Sequence, residues 1–207
     1  MLKAIWRWTW RALLLALGLL IAYQLWIFAH ILWWRTSNPS TSAFMEDRLE
    51  LLQEKKPDAQ LRHQWVPYEK ISNNLKRAVI AAEDAKFLDH EGFDWEAIQK
   101  AYERNLQKGK VVRGGSTISQ QLAKNLFLSS RRTPWRKAQE AVITVMLENA
   151  MSKRRILEIY LNVIEWGNGV FGAEAAARRY FDRRRDSPYL ARRADLILAR
   201  MNSAQLP

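Results

Sequence analysis

The stretch from residue 12 to residue 34, ALLLALGLLIAYQLWIFAHILWW, constrains the fold more than any other, because it is apolar apart from Gln24 and His30. It is long enough to cross the hydrocarbon core of a bilayer as one helix. Tryptophans at positions 6, 8 and 10 and at 33 and 34 flank it, as is typical of membrane interfaces. A cleaved signal peptide would have a shorter apolar run and a small-residue cleavage site, which we do not find. The stretch therefore predicts a single transmembrane anchor, with a buried core helix as the alternative.

Basic residues set the expected orientation of this anchor. Lys3, Arg7 and Arg11 precede the apolar stretch, and a positive flank favours the cytoplasmic side. The rest of the chain is also basic, but long domains are translocated largely regardless of charge. We therefore expect a cytoplasmic flank at 1–11, a transmembrane anchor at 12–34, a linker and membrane-proximal segment at 35–64, and one translocated domain at 65–207.

Charge and cysteine content limit the function classes. The formal net charge of +12 indicates an acidic partner, which can be nucleic acid, an anionic membrane or a phosphorylated substrate. The chain has no cysteine, which excludes disulfides and Cys-ligated zinc. The three histidines, at positions 30, 63 and 90, are too scattered to indicate a His-based metal site.

The part after residue 65 has helical periodicity and capping signals but no convincing alternating strand. Asp94 is a suitable N-cap for a helix that stops at Gly109, and Thr133 followed by Pro134 marks another helix start. The soluble part is therefore predicted to be one all-α domain. The predicted helices cover 44–56, 71–87, 95–108, 117–128 with Ser116 as N-cap, a segment from 134, 152–162, 173–181 and 189–200.

Glu83 is a carboxylate in a row that is otherwise apolar at helical spacing. The row contains Ile71, Leu75, Val79 and Phe87. Such a position faces the interior or the wall of a cleft, where low polarity disfavours the charged carboxylate, as suits a general acid or base. The alternative is a carboxylate at a fraying helix end, paired with a basic neighbour.

Glu140 is a second candidate, because it precedes AVITVML (141–147), a run that predicts a central buried helix. Arg136 lies one turn earlier and could hold the carboxylate ionised. A purely structural salt bridge is the alternative, and the spacing alone slightly favours it. Two carboxylates in different environments are also the general requirement of glycosyl chemistry.

The stretch RGGSTISQQLAKN (113–125) predicts a helix start that can receive an anion. Gly114 and Gly115 allow close approach of the backbone, and the helix N-terminus offers N–H groups. Lys124 adds a positive charge further along, an arrangement that suits a diphosphate. The basic run around 131–137 supplies more phosphate contacts or is a solvated loop. The buried row of this helix is expected to be Ile118, Leu122 and Leu126.

Five motifs in order give the chain a resemblance to the peptidoglycan glycosyltransferases, the module found in class A penicillin-binding proteins and their monofunctional relatives. The resemblance covers about residues 65–200. The motifs are EDAKFLDHEG (83–92), GGSTISQQLAKN (114–125), RKAQE (136–140), KRRILEIYLN (153–162) and WGNGVFGAEAAARRYF (166–181).

This resemblance implies a lysozyme-like α-helical domain on a single anchor in the bacterial inner membrane, with the catalytic domain in the periplasm. It implies polymerisation of lipid II into β-1,4-linked glycan strands, with inversion and with undecaprenyl diphosphate as leaving group. A divalent cation, Mg²⁺ or Mn²⁺, is expected, without an organic cofactor. Expected partners are the growing glycan strand, membrane lipids and proteins of cell division or elongation, but no nucleic acid.

The resemblance also assigns residue roles. Glu83 would be the general base for the acceptor hydroxyl, and Glu140 would assist at the donor diphosphate, directly or through the cation. Glu158, Tyr160 and Asn162 are expected to be mainly structural. Residues expected to bind the substrate or to shape its site are Asp84, Phe87, His90, Gly115, Ser116, Thr117, Gln121, Lys124, Asn125, Arg132, Arg136, Lys137 and Lys153.

The chain departs from the family pattern at two positions, and two alternative functions remain open from the sequence. Ser119 stands where the family often has Thr, and Ala194 stands where it usually has Glu. A transpeptidase set of SxxK, SxN and KTG motifs is not found, so no cross-linking activity is expected. The alternatives are a glycan-cleaving enzyme of similar fold, which would have no diphosphate to bind, and a non-enzymatic scaffold.

Overall fold

The computed structural model describes residues 2–109, 114–130 and 133–181. Its first element, α1 (Leu2–Trp33), is one continuous helix, and its part from Ile5 to Trp33 is long and apolar enough to cross a membrane. Most of its apolar side chains are exposed, so it is not a buried core helix. The predicted helix at 189–200, Arg132 and Ala194 lie outside the described residues.

The helices after α1 form the body of the protein, and the predicted mostly helical fold with one N-terminal apolar helix is confirmed. They are α2 (Ala43–Gln53), α3 (Asn73–Glu83), α4 (Trp95–Lys108), α5 (Ile118–Phe127), α6 (Pro134–Ala150), α7 (Lys153–Val163) and α8 (Ala173–Phe181).

Local capping explains where these helices begin and end. In six of them a side-chain oxygen accepts a hydrogen bond from a backbone N–H of the first turn, which satisfies one of the donors that a helix start leaves unpaired. Gly109 ends α4 in the left-handed conformation, as predicted. For α5 the predicted cap is wrong by one residue, because Thr117 and Gln120 form a reciprocal capping box. The capping residues are Ser42, Ser72, Asp94, Thr117, Thr133 and Ser152.

The core forms around α5, which packs against α6 and α7. Its predicted row of Ile118, Leu122 and Leu126 is buried. The apolar row around Glu83 is also buried, although α3 ends at Glu83 and Phe87 lies in the turn that follows.

The prediction that the AVITVML run is buried on every side is wrong. Val142 and Val145 are 43% and 48% exposed, whereas Ile143 and Leu147 are fully buried. The α6 helix therefore turns one apolar face to the core and another to the surroundings of the protein.

A three-stranded sheet is an addition to the predicted helices. It consists of β1 (Arg62–His63), β2 (Glu165–Gly167) and β3 (Val170–Phe171), in the order β1-β3-β2. β1 pairs with β3 in parallel, and β2 pairs with β3 antiparallel. The segment GNGVFG (167–172) contains the turn between β2 and β3 and all of β3, and Gly169 takes a positive φ of 71° at that turn.

The last turns of α1 pack directly on this helical body. Ile27 and Ile31 are fully buried, and the amide Nε2 of Gln24 donates to Oε1 of Gln139 on α6 at 2.8 Å. The ring of Trp34 lies 5.3 Å from that of Phe127 at the end of α5, measured between centroids. The anchor and the domain therefore form one packed unit at this end of the helix.

Candidate active site

Glu83 is the last residue of α3 and lies half-buried beside α5. Nε2 of Gln121 donates to its Oε2 at 3.0 Å, and the hydroxyl of Tyr160 donates to Oε1 of Gln121 at 3.0 Å. The partner of Glu83 is thus a neutral amide rather than a basic side chain. This arrangement leaves the carboxylate accessible from one side while holding its direction from the other.

Asp84 points away from Glu83 and toward the start of α5. Its buried carboxylate accepts the backbone N–H of Ile118 at 3.0 Å and lies 2.9 Å from Nε2 of His90. Because the N–H of Gly92 donates to Nδ1 of His90, the Nε2 of a neutral ring carries the proton and donates to Asp84. The aspartate therefore ties the motif 83–92 to α5.

This contact corrects the expectation that the N-terminus of α5 binds a diphosphate. The N–H of Ile118 is bound to Asp84, and the N–H of Gln120 is bound to Thr117. A negative side chain of the protein thus occupies the position that favours anions. The N–H groups of Ile118 and Gln120 are therefore not available to a diphosphate.

Glu140 lies on α6 between two cationic groups. Its side chain is 4% exposed, Nη1 of Arg136 donates to Oε2 at 2.9 Å, and Nζ of Lys137 donates to Oε1. Lys137 also reaches the hydroxyl of Ser116 at 3.4 Å, which joins α6 to the loop before α5. The ion pair expected from the spacing is present, with a second cation added.

Arg136 retains a donor that its ion pair with Glu140 does not use. Its Nε is buried, and no acceptor for it is found among the described residues. A buried donor without a partner is rare in a folded protein. The guanidinium therefore has capacity for a further anionic or polar group.

The two glycines before α5 differ in role. A Cβ on Gly115 would lie 2.8 Å from the Cα of Ile98, so this glycine permits close packing of the loop on α4. Gly114 is exposed, with nothing within 4 Å of its Cβ position. Only Gly114 therefore has open space in front of it for a ligand.

The other predicted residues differ in how far they are buried. Phe87, Thr117 and Asn125 are buried. Lys124 is half-buried, with its Nζ 5.2 Å above the ring of Phe44 on α2. Lys153 forms its ion pair with Glu148 rather than with Glu140.

Lys153 and Glu148 form a separate ion pair. Nζ of Lys153 donates to Oε1 of Glu148 at 2.8 Å and lies 4.7 Å from the centre of the Phe87 ring. Ser119 donates to the same glutamate oxygen. Glu148 was not among the predicted site residues, because its partner Ser119 lies on another helix, 29 residues earlier in the chain.

Tyr160, which is predicted to be mainly structural, donates to the amide that contacts Glu83. It is fully buried, and burial, followed by the negative charges of Glu83 and Asp84, raises the pKa of its hydroxyl well above the usual value of 10.0. The need for such a partner could be inferred from the sequence, because a buried phenol requires a hydrogen-bond partner inside the protein.

Asn162 and Glu158, in contrast, hold the chain together as expected. Asn162 is fully buried, accepts the N–H of Val66 at 2.8 Å and donates to its carbonyl at 3.0 Å. Glu158 accepts the N–H of Tyr68 at 2.9 Å. Both side chains fix the segment before α3 against α7.

Comparisons with known proteins agree with the motifs. The family model described as Transglycosylase matches residues 49–204. Three similar proteins bear the name biosynthetic peptidoglycan transglycosylase. That of Methylobacillus flagellatus is 62% identical, over 96% of this chain and 97% of its own. Those of Nitrosospira multiformis and Azoarcus sp. are each 58% identical and cover 97% and 100% of this chain, and 98% and 100% of their own.

The match spans most of the chain, and the identity is far above what chance or fold likeness alone produces. The helical body, the apolar anchor and the paired motifs of α3, α5 and α6 are all part of the matched sequence. The chain therefore belongs to the transglycosylase family and is a peptidoglycan glycosyltransferase.

Proposed function

We propose that this enzyme polymerises lipid II, a disaccharide-pentapeptide on undecaprenyl diphosphate, into β-1,4-linked glycan strands with inversion at the donor anomeric carbon. The observation that carries the proposal is the contrast between two carboxylates. Glu83 is half-buried beside a neutral amide, whereas Glu140 is buried between Arg136 and Lys137. Distinct environments suit distinct roles in glycosyl transfer.

In this mechanism Glu83 is the general base. The 4-hydroxyl of the acceptor sugar attacks the anomeric carbon of the donor, and its proton passes to the Glu83 carboxylate. The bond between that carbon and the diphosphate oxygen breaks, and undecaprenyl diphosphate leaves with the electron pair. A half-exposed carboxylate can approach the hydroxyl directly, as this proton transfer requires.

The cationic groups around Glu140 act on the leaving group. Negative charge grows on the diphosphate as the bond breaks, and fixed cations close to it lower the barrier. Lys137 is half-exposed and Arg136 has a buried donor without an acceptor among the described residues. Glu140 holds both in place, so we assign it a positioning role at the diphosphate.

Other basic and hydroxyl side chains complete the proposed donor site. Ser116 contacts Lys137, and Gly114 leaves open space at the same loop. Lys124 and Arg132 are proposed to contact the diphosphate or the adjacent sugar. Replacement of Lys124 by Ala is expected to weaken use of the donor more than it weakens stability.

A divalent cation, Mg²⁺ or Mn²⁺, is proposed to arrive with the diphosphate. The described residues contain no group of three His, Asp or Glu that could hold a metal, and both oxygens of Glu140 already accept from cations. These side chains do not fit a resident metal site. We therefore assign no step of the protein's chemistry to the ion.

The membrane anchor fits a substrate that carries a lipid tail, because confinement to one surface raises the rate of encounter. We propose a cytoplasmic N-terminus and a periplasmic catalytic domain in the inner membrane, as the basic flank favours. Membrane lipids and proteins of division or elongation are the proposed partners. The sequence carries no SxxK and no KTG motif, so polymerisation without peptide cross-linking is proposed.

The test is incubation of the purified full-length protein with labelled lipid II and a divalent cation, followed by gel separation of glycan chains. The wild type is expected to give polymer, and Glu83→Gln to give none while melting at a similar temperature. A Glu83→Gln variant that polymerises at the wild-type rate contradicts the assigned base. Release of short glycan fragments from polymer, without synthesis, favours the cleaving alternative.

A further inference from the structure

A chain of two hydrogen bonds links a buried phenol on α7 to Glu83 on α3. The hydroxyl of Tyr160 donates to Oε1 of Gln121 at 3.0 Å, and Nε2 of the same amide donates to Oε2 of Glu83 at 3.0 Å. Tyr160 is fully buried and Gln121 is 8% exposed. The two hydrogen bonds therefore run through the interior of the protein and reach Glu83 from its buried side.

In this structure the phenol is protonated and donates to the amide oxygen. Burial raises the pKa of Tyr160 well above 10.0, and the charges of Glu83 and Asp84 raise it further. The hydroxyl therefore keeps its proton at any pH at which the enzyme works. A phenolate in the same place would place a negative charge against an amide oxygen.

The carboxylate of Glu83 decides which way the Gln121 amide faces. An amide has two ends of similar shape, one accepting and one donating. An ionised carboxylate only accepts, so the NH₂ faces Glu83 and the oxygen faces α7, where the hydroxyl of Tyr160 donates to it. The hydrogen bond from Tyr160 therefore holds in place the amide that donates to Glu83.

We propose that Tyr160 is a positioning residue of the active site, which acts through Gln121 to hold the Glu83 carboxylate in the direction of the acceptor hydroxyl. This inference rests on the proposed role of Glu83 as general base. It gives Gln121 a role on the base, beside the expected role in substrate binding. Tyr160 itself touches neither the substrate nor the reacting atoms.

Removal of the hydroxyl alone provides the test. Tyr160→Phe retains the buried ring, so the packing of α7 is preserved, but the amide oxygen of Gln121 loses the hydroxyl that donates to it. We expect kcat for labelled lipid II to fall about five- to tenfold, the factor that one ordinary hydrogen bond corresponds to. The KM for lipid II is expected to stay within about twofold, because the effect lies on the base rather than on binding.

A double-mutant cycle separates positioning from stability. If Tyr160 acts through Gln121, then Tyr160→Phe causes no further loss of kcat in a Gln121→Met background. Gln121→Asn, whose amide is too short to bridge both partners, replaces Gln121→Met where that variant does not fold. Tyr180→Phe is the matched control, because its hydroxyl donates at 3.4 Å to the carbonyl of Trp166, away from α3 and α5. The control should keep the wild-type kcat.

The outcomes separate this inference from the proposed function. Wild-type kcat in Tyr160→Phe, or losses that multiply across the cycle, overturn the inference if Glu83→Gln is inactive. Polymerisation at the wild-type rate by Glu83→Gln overturns the assigned base, and this inference with it. A fall in kcat without a change in KM, absent from the Gln121→Met background and from Tyr180→Phe, supports the inference.

Discussion

Replacement of Asp84 by Ala tests whether the N-terminus of α5 is occupied by the protein itself. The carboxylate is 2% exposed at its side chain, accepts the N–H of Ile118 at 3.0 Å and contacts Nε2 of His90 at 2.9 Å. The variant would leave both donors without a partner and would remove a negative charge from the positive end of a helix. Each of these losses destabilises the fold.

The magnitude follows from the three interactions. A hydrogen bond to a charged group contributes about 1.5–3 kcal/mol, and a charge at a helix N-terminus contributes about 0.3–2 kcal/mol. With partial relaxation we expect Asp84→Ala to lower the free energy of unfolding by about 4 kcal/mol. For a chain of this size that is a fall in Tm of about 8–16 °C. Asp84→Asn retains one acceptor and is expected to lose about half as much.

The assay is thermal unfolding of the full-length protein in detergent micelles, followed by circular dichroism of the helical signal. Asp94→Ala is the matched control, because Asp94 caps α4 with a hydrogen bond from the N–H of Ala97 at 2.9 Å. Its loss should cost about 1 kcal/mol. If Asp84→Ala melts within about 2 °C of the wild type, the carboxylate does not stabilise the start of α5, which contradicts this expectation.

Three further predictions concern other parts of the molecule. Lys137→Met should lower kcat/KM for lipid II with little change in Tm, whereas Lys153→Met should lower Tm with a smaller effect on kcat/KM; the reverse pattern contradicts the assignment of the two cations. Gln24→Leu should weaken packing of the anchor on Gln139 by about 0.5–2 kcal/mol, measured as faster protease cleavage in micelles than for a substitution on an exposed face of α1. The pKa of Tyr160 is raised in the folded state, so the stability that this residue contributes is full below pH 10 and is lost as pH rises through the folded pKa. The wild type should therefore lose more stability above pH 10 than Tyr160→Phe does, as measured by denaturant unfolding.

Helix boundaries were predictable from the sequence where the signal is local. Asp94 with Gly109 and Thr133 with Pro134 lie where the patterns place them, because capping depends on a few adjacent residues. The short strands were not predictable, since two or three residues are too few to show alternation.

The sequence motifs indicated candidate site residues but not the contacts that these residues make. The motifs indicated Glu83 and Glu140, and spacing alone indicated the pair of Arg136 with Glu140. The hydrogen-bond partners of Glu83 and Asp84 on α5 come from distant segments of the chain, so no local sequence pattern predicts these contacts. Asp84 is the clearest case, because it follows Glu83 in sequence but its carboxylate accepts a hydrogen bond from the first residue of α5.

The packing of α1 on the domain has a geometric consequence for how the enzyme meets its substrate. Arg155 on α7 donates to the carbonyl of Trp34 at 2.9 Å and to Oδ1 of Asn38 at 3.0 Å, so the segment that follows the anchor is fastened to the domain rather than hanging free. If α1 crosses the membrane as proposed, Glu83 and Glu140 would therefore be held at a set height relative to the bilayer. The proposed lipid-linked substrate would then reach them by lateral diffusion and rotation within the plane of the membrane, a search in two dimensions.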